Sequence, residues 1–276
     1  MARIPLFAAL TAALLAASAA GAAPARSSGW TPVDPENLLV IDTTKGRILV
    51  AMAPDLAPRA VERIRLLARE HVYDGLQFHR VIEGFVDQTG NPNNRDGGVS
   101  SHPDLAPEFI ARLAPGSFSP VRSATDSQQG FVGPVPVEAV SLAEASRSAE
   151  GKVRLWGAYC PGVAGMGRQA DPGSANSEIF FMRESSRRLD RDYTVWGKVV
   201  LGLEVVRAMA VGEPPTAPDK MLKVTVASDL APGERPRVEV MDARSAAFRK
   251  LASRARQARG ADFTVCDLDL PARLIP

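Results

Sequence analysis

The chain is predicted to be mainly β, a closed antiparallel barrel capped by two helices and followed by a C-terminal helical extension. Three observations lead there. Short runs rich in β-branched and aromatic residues recur along the sequence. Before residue 232 only two well-separated stretches carry helical periodicity. Strands and helices also do not alternate regularly, as a parallel α/β sheet would require. At 276 residues, with 45% hydrophobic and 23% charged, the chain is long and apolar enough for a real core.

The segment "NLLVIDTTKGRILVAMAP" (37–54) gives two apolar β-rich runs around the turn-forming "TTKG", which reads as a hairpin. In "APRAVERIRLLAREHVY" the residues Val61, Ile64, Leu67 and Ala68 fall at helical spacing, with charges opposite. "GLQFHRVIEGFVDQTGNP" (75–92) reads as a strand, a turn and a second strand. Period-two alternation puts Leu76, Phe78, Arg80 and Ile82 on one face, so a guanidinium stands on an otherwise apolar surface. Burying it unpaired costs several kcal/mol, so that face opens onto a groove or Arg80 has a task. From Asn91 to about Ala158, Gly, Pro and Ser predict long loops broken by short pieces. Strands return at 177–182, 192–200 and 221–226, with a short helix through "GLEVVRAM". Beyond 231, Asp242 is expected to cap a helix that ends at Gly260, with Ala247, Leu251, Ala255 and Ala258 as its apolar stripe.

The first residues place Arg3 before an apolar run that ends in small residues around Ala20, Gly21 and Ala22. This is the pattern of a cleaved signal peptide over 1–22, and it implies a secreted or periplasmic protein with no stable membrane insertion after cleavage. Removing it takes away Arg3 and no acid, so a formal charge of +2 falls towards neutrality, and nothing calls for nucleic acid. No G-x-S-x-G elbow, H-E-x-x-H or Walker loop is present, and "GMG" at 165–167 is too short for a dinucleotide loop. His71, His79 and His102 lack metal-ligand spacing, so neither metal nor cofactor is expected. No feature sets an oligomeric state.

"FHRVIEGFVDQTGNP" resembles the first active-site motif of cyclophilin-type peptidyl-prolyl cis-trans isomerases, F-H-R-x-I-x-G-F-x-x-Q-x-G. The matches are Phe78, His79, Arg80, Ile82, Gly84, Phe85, Gln88 and Gly90. "IFFM" followed by "LDRDYTVWGKVVLGLEVVRAM" is similar to the family's second region. The resemblance covers about 37–226 and implies an isomerase domain at 37–231, with an insertion at about 119–152, which leaves 232–276 as an extension. It implies an isomerase of proline-containing polypeptides in which Arg80 donates to the prolyl nitrogen and Gln88 orients the carbonyl or the arginine. Phe85, Val86, Phe181, Leu189 and Tyr193 would line the proline pocket. Adjacent phenylalanines point to opposite faces of a strand, and Phe181 is the one assigned to the pocket here. The chain departs from the family pattern at Glu178 and Ile179, set against a serine–glutamine pair, at Arg188, set against a tryptophan, and at Tyr193, set against a histidine. A cyclophilin-like proline-binding module or chaperone with little catalysis is the alternative, and the joint presence of Arg80, Phe85 and Gln88 favours the enzyme.

An exported chain with two cysteines often pairs them. Cys160 and Cys266 are therefore expected to staple the extension to the barrel, the alternative being two buried free thiols.

Overall fold

The computed structural model describes residues 29–276, so the expected signal peptide lies outside the described residues. In chain order the elements are β1 (Trp30–Pro32), β2 (Leu38–Thr43), β3 (Gly46–Met52), α1 (Pro58–Arg69), β4 (Arg80–Ile82), β5 (Val86–Thr89), β6 (Ala111–Leu113), β7 (Ser119–Ser123), β8 (Ser127–Val132) and β9 (Val135–Val140). They continue with α2 (Leu142–Ala145), β10 (Val153–Gly157), β11 (Val163–Met166), β12 (Ile179–Met182), β13 (Val195–Leu201), α3 (Leu203–Arg207), β14 (Met221–Val226), β15 (Arg237–Met241), α4 (Ala246–Arg259) and β16 (Ala272–Ile275).

Eight strands form one curled antiparallel sheet in the order β14-β2-β3-β13-β11-β12-β5-β4. Its two edges meet through the Gln77–Lys220 bridge and the Phe78 N–H to Asp219 carbonyl bond, so the barrel closes by isolated contacts rather than by a full ladder. The barrel interior holds Leu39, Ile41, Ile48, Val50, Phe78, Val81, Phe181 and Trp196, and α1 lays Val61, Ile64 and Leu67 against them. Helix α1 has no side-chain cap of its own. The Glu108 carboxylate instead accepts the N–H groups of Arg59 (3.1 Å) and Ala60 (2.9 Å), satisfying two orphan donors and placing negative charge at the helix's positive end.

Residues 111–157 are not loops. They build a second antiparallel sheet, β6-β10-β9-β8-β7, which extends beyond the expected insertion on both sides. Gly133 at φ +53 turns β8 into β9, so "GP" here closes a hairpin. The C-terminal segment adds β15 and β16, and β1 from the N-terminal side pairs with β15. Helix α4 is capped by Ser245, whose hydroxyl accepts the Phe248 N–H, rather than by Asp242. Its buried residues are Phe248 and Ala252, with Leu251 exposed, so the apolar stripe lies one residue from the expected one.

These two appendages complete each other. Phe248 of α4 meets Phe131 of β8 edge-to-face at 5.5 Å, inside a core that also takes Phe263, Val265 and Leu268. The same core includes Tyr159, Phe180 and Met182, and so reaches the wall of the barrel. Cys160 and Cys266 are joined by a disulfide bond across it, with Cα atoms 4.9 Å apart.

Candidate active site

The β4–β5 hairpin turns through Glu83 and Gly84, and Gly84 sits at φ +68, a conformation that L side chains rarely adopt. The register pairs Arg80 with Gln88 and Val81 with Asp87. Arg80 and Gln88 therefore share one face, while Val81 and Asp87 point the other way, into the interior. The expected apolar face through Leu76, Phe78 and Arg80 is not formed. The strand begins only at Arg80, and Phe78 and Val81, three residues apart, are both core residues. Arg80 thus stands outside the core, its side chain 29% exposed.

Strand β12 continues this row. Phe180 lies opposite Gln88, whereas Phe181 lies opposite Asp87. Side chains in register across strands share a face, so Phe180 belongs with Arg80 and Gln88, and Phe181 belongs to the core. Phe181 is fully buried and meets Trp196 edge-to-face at 6.0 Å. The pocket phenylalanine is therefore Phe180, a correction of one residue. The same shift sets Ser177 and Glu178 against the family's serine–glutamine pair and Ile179 against the first phenylalanine, so Glu178 and Ile179 are both still departures.

Arg80, Phe85, Val86, Gln88, Phe180, Leu189 and Tyr193 line one groove of about 430 Å³. Phe180 is stacked on Tyr159 (5.7 Å between centroids) and edge-to-face with Tyr193 (5.8 Å). Gly165, opposite it on β11, makes this possible, because a Cβ there would lie 2.3 Å from the Phe180 ring. The guanidinium of Arg168 covers the Tyr193 ring at 4.4 Å, and that of Arg188 covers Phe85 at 4.8 Å. Arg188, set against the family's tryptophan, thus roofs Phe85.

The charged end of the groove is a hydrogen-bonded chain. Arg80 donates from Nε to Glu213 (2.7 Å) and from Nη1 to the Gln88 carbonyl (3.0 Å). The Gln88 amide nitrogen donates to Asp96 (3.2 Å) and to Glu178 Oε1. Asn91 donates to Glu178 Oε2. Burial, reinforced by the negative charge of Asp96, pushes the Glu178 carboxyl up to about 7 against the opposing donors from Gln88, Asn91 and the Gly97 N–H. Burial pulls His79 down, which keeps the imidazole neutral near pH 7.

His79, Asp96 and Glu178 are the one group among the described residues whose potential ligand atoms converge, within 4.8 Å. The amide donors of Gln88 and Asn91 already engage Asp96 Oδ1 and both Glu178 oxygens, so this arrangement suits hydrogen bonding among side chains rather than a cation. Sequence reasoning missed Asp96, Glu213 and Tyr159. They come from loops with no motif, and only the shared register with Gln88 could have indicated Phe180.

A hairpin-borne arginine and glutamine over an apolar groove in a curled antiparallel barrel define a peptide-binding site of the cyclophilin kind, and the comparisons agree. The family model "Cyclophilin type peptidyl-prolyl cis-trans isomerase/CLD" matches residues 38–226. A probable peptidyl-prolyl cis-trans isomerase of Brucella suis is 32% identical over 80% of this chain and 96% of its own length, and the Brucella abortus protein is equally similar. The crystal structure of cyclophilin AquaCyp293 from Hirschia baltica superposes with a TM-score of 0.82 at 35% identity, covering 89% of this chain and 93% of that one. The chain belongs to the cyclophilin-type peptidyl-prolyl cis-trans isomerases. It is an isomerase whose substrates are proline-containing polypeptides, and no helix among the described residues is long and apolar enough to cross a membrane.

Proposed function

We propose that this isomerase accelerates X-Pro rotation in exported polypeptides, with Arg80 weakening amide resonance by donating to the prolyl nitrogen. The observation that carries the proposal is the state of the guanidinium. Nε is anchored by Glu213 and Nη1 by Gln88, while Nη2 has no hydrogen-bond partner among the described residues. An anchored cation with a free donor beside an apolar groove suits a substrate atom that becomes a better acceptor as the bond turns.

The barrier is ~18–20 kcal/mol because the C–N bond is partly double. A nitrogen lone pair held in a hydrogen bond cannot conjugate with the carbonyl, and each ~1.4 kcal/mol gained only in the twisted state is a tenfold rate increase. Neither proton transfer nor covalent bonding is needed. Phe85, Val86, Phe180 and Leu189 offer the proline ring an apolar wall. The exported setting is supported by the leader-like residues 1–22 and by the Cys160–Cys266 disulfide, a bond that persists in oxidising compartments.

In a proline-limited peptide assay, Arg80→Ala is expected to lower kcat/KM about tenfold or more with unchanged circular dichroism. A wild-type rate in that variant refutes the mechanism. Intact mass of the exported protein should show that residues 1–22 are absent, and a full-length cytoplasmic product refutes the export half.

A further inference from the structure

Behind Arg80 the groove contains a carboxyl group whose two oxygens both accept hydrogen bonds from neighbouring amides. The Gln88 amide has one accepting and one donating end. Its carbonyl takes the Arg80 Nη1–H at 3.0 Å, and its NH2 faces Asp96 and Glu178. Asn91 is held the same way round, because its NH2 also donates to the Arg95 carbonyl at 2.6 Å. Both Glu178 oxygens therefore meet donors. Glu178 is only 6% exposed, and Gly167 leaves it room, since a Cβ at 167 would lie 2.2 Å from its Oε1.

We propose that Glu178 is a positioning residue for the isomerisation: as a carboxylate it keeps the Gln88 carbonyl aimed at Arg80, and a proton on Glu178 turns that amide and lowers activity. The inference rests on the role given to Arg80 above. A proton on Oε1 places an O–H against the Gln88 NH2, so two donors face each other. Gln88 relieves this by turning, which sets its NH2 against Arg80 Nη1 and removes one of the two acceptors that anchor the guanidinium.

The groups facing Glu178 set where this happens. His79 approaches it at 3.7 Å from the residue before β4, and burial lowers the pKa of its imidazole against the opposing charge of Asp96. Asp96 brings negative charge and Gly97 an N–H from the loop after β5, while Arg80 lies one link away through Gln88. Burial and Asp96 together put the Glu178 carboxyl at about 7, inside the working range of pH.

The test is kcat/KM for a prolyl peptide from about pH 5.5 to about pH 8.5, measured on the wild-type protein, Glu178→Gln and Arg80→Ala. The wild-type value is expected to rise about fivefold or more with pH along a one-proton curve. Glu178→Gln puts an NH2 against Gln88 or Asn91 whichever way it turns, so it should stay near the wild-type acid-side value at every pH. A flat wild-type profile overturns the proposal without any variant. A Glu178→Gln enzyme that keeps the wild-type rate and acid limb also overturns it, and assigns the limb to another group such as Asp87, which lies on the opposite face of β5. Wild-type rates in Arg80→Ala would remove the underlying mechanism instead, so the two failures are distinguishable.

Discussion

The one-residue shift at β12 gives opposite outcomes for two adjacent phenylalanines. Phe181 is 0% exposed and packs on Trp196, so Phe181→Ala should lose roughly 3–5 kcal/mol of stability, the usual range for a fully buried ring. About 0.5–1.5 kcal/mol of that belongs to the ring pair itself. This is a large part of the ~5–15 kcal/mol that holds a domain folded, so the variant should be assayed cold and checked for folding first. Peptide affinity should be unchanged in the folded fraction, because this ring faces Asp87 and Val81 rather than the groove. Phe180→Ala should cost less stability, since its ring borders a groove that water can enter. It should weaken a prolyl peptide about tenfold, the effect of withdrawing roughly 50 Å² of apolar contact at ~25 cal/mol per Å². Urea unfolding gives the first quantity and peptide titration the second. Weakened binding with Phe181→Ala and intact binding with Phe180→Ala would refute the register argument.

Two further outcomes follow from the same structure. The disulfide spans a sequence separation of 106, so Cys266→Ser should release roughly 5 kcal/mol of unfolded-chain entropy on the loop-closure model. Hydrogen exchange should then rise first in 237–275 and in the 111–157 sheet that shares its core, and uniform loosening through β2 and β3 would contradict this. Stability should also fall as pH rises from about 4.5 to about 7. Burial raises the carboxyls of Glu178 and Asp87, each to about 7, so the folded protein binds more protons than the unfolded chain in that window. The Glu178 part is roughly 3 kcal/mol at most. Glu36, lowered mainly by its Ser228 hydrogen bond, and Asp229, lowered mainly by Arg69, have the opposite sign. They supply stability that is lost as pH falls through the acid range. Urea midpoints should therefore be highest near pH 4–5, and midpoints still climbing to pH 8 would refute the assignment.

The sequence by itself determined the barrel's class, the α1 face and most of the groove. Each depends on local pattern: two apolar β-rich runs around a turn in 38–52, helical spacing of Val61, Ile64 and Leu67, and a dense motif from Phe78 to Gly90. Arg80, Phe85, Val86 and Gln88 were legible because one hairpin carries them all. The tertiary structure decided what depends on partners distant in the chain. Period-two alternation says that Phe180 and Phe181 face opposite ways, but not which of them faces the groove; pairing with Gln88 and Asp87 settles it. Glu178 looked like a lost contact and is instead the carboxylate that fixes Gln88. The Gly- and Pro-rich stretch around 111–157 is a sheet because α4, almost 90 residues further along the chain, covers its apolar side, and neither appendage has a complete core alone. Local sequence sets which conformations are cheap. Burial and hydrogen bonding choose among them, and those energies are shared between residues that no sequence window contains together.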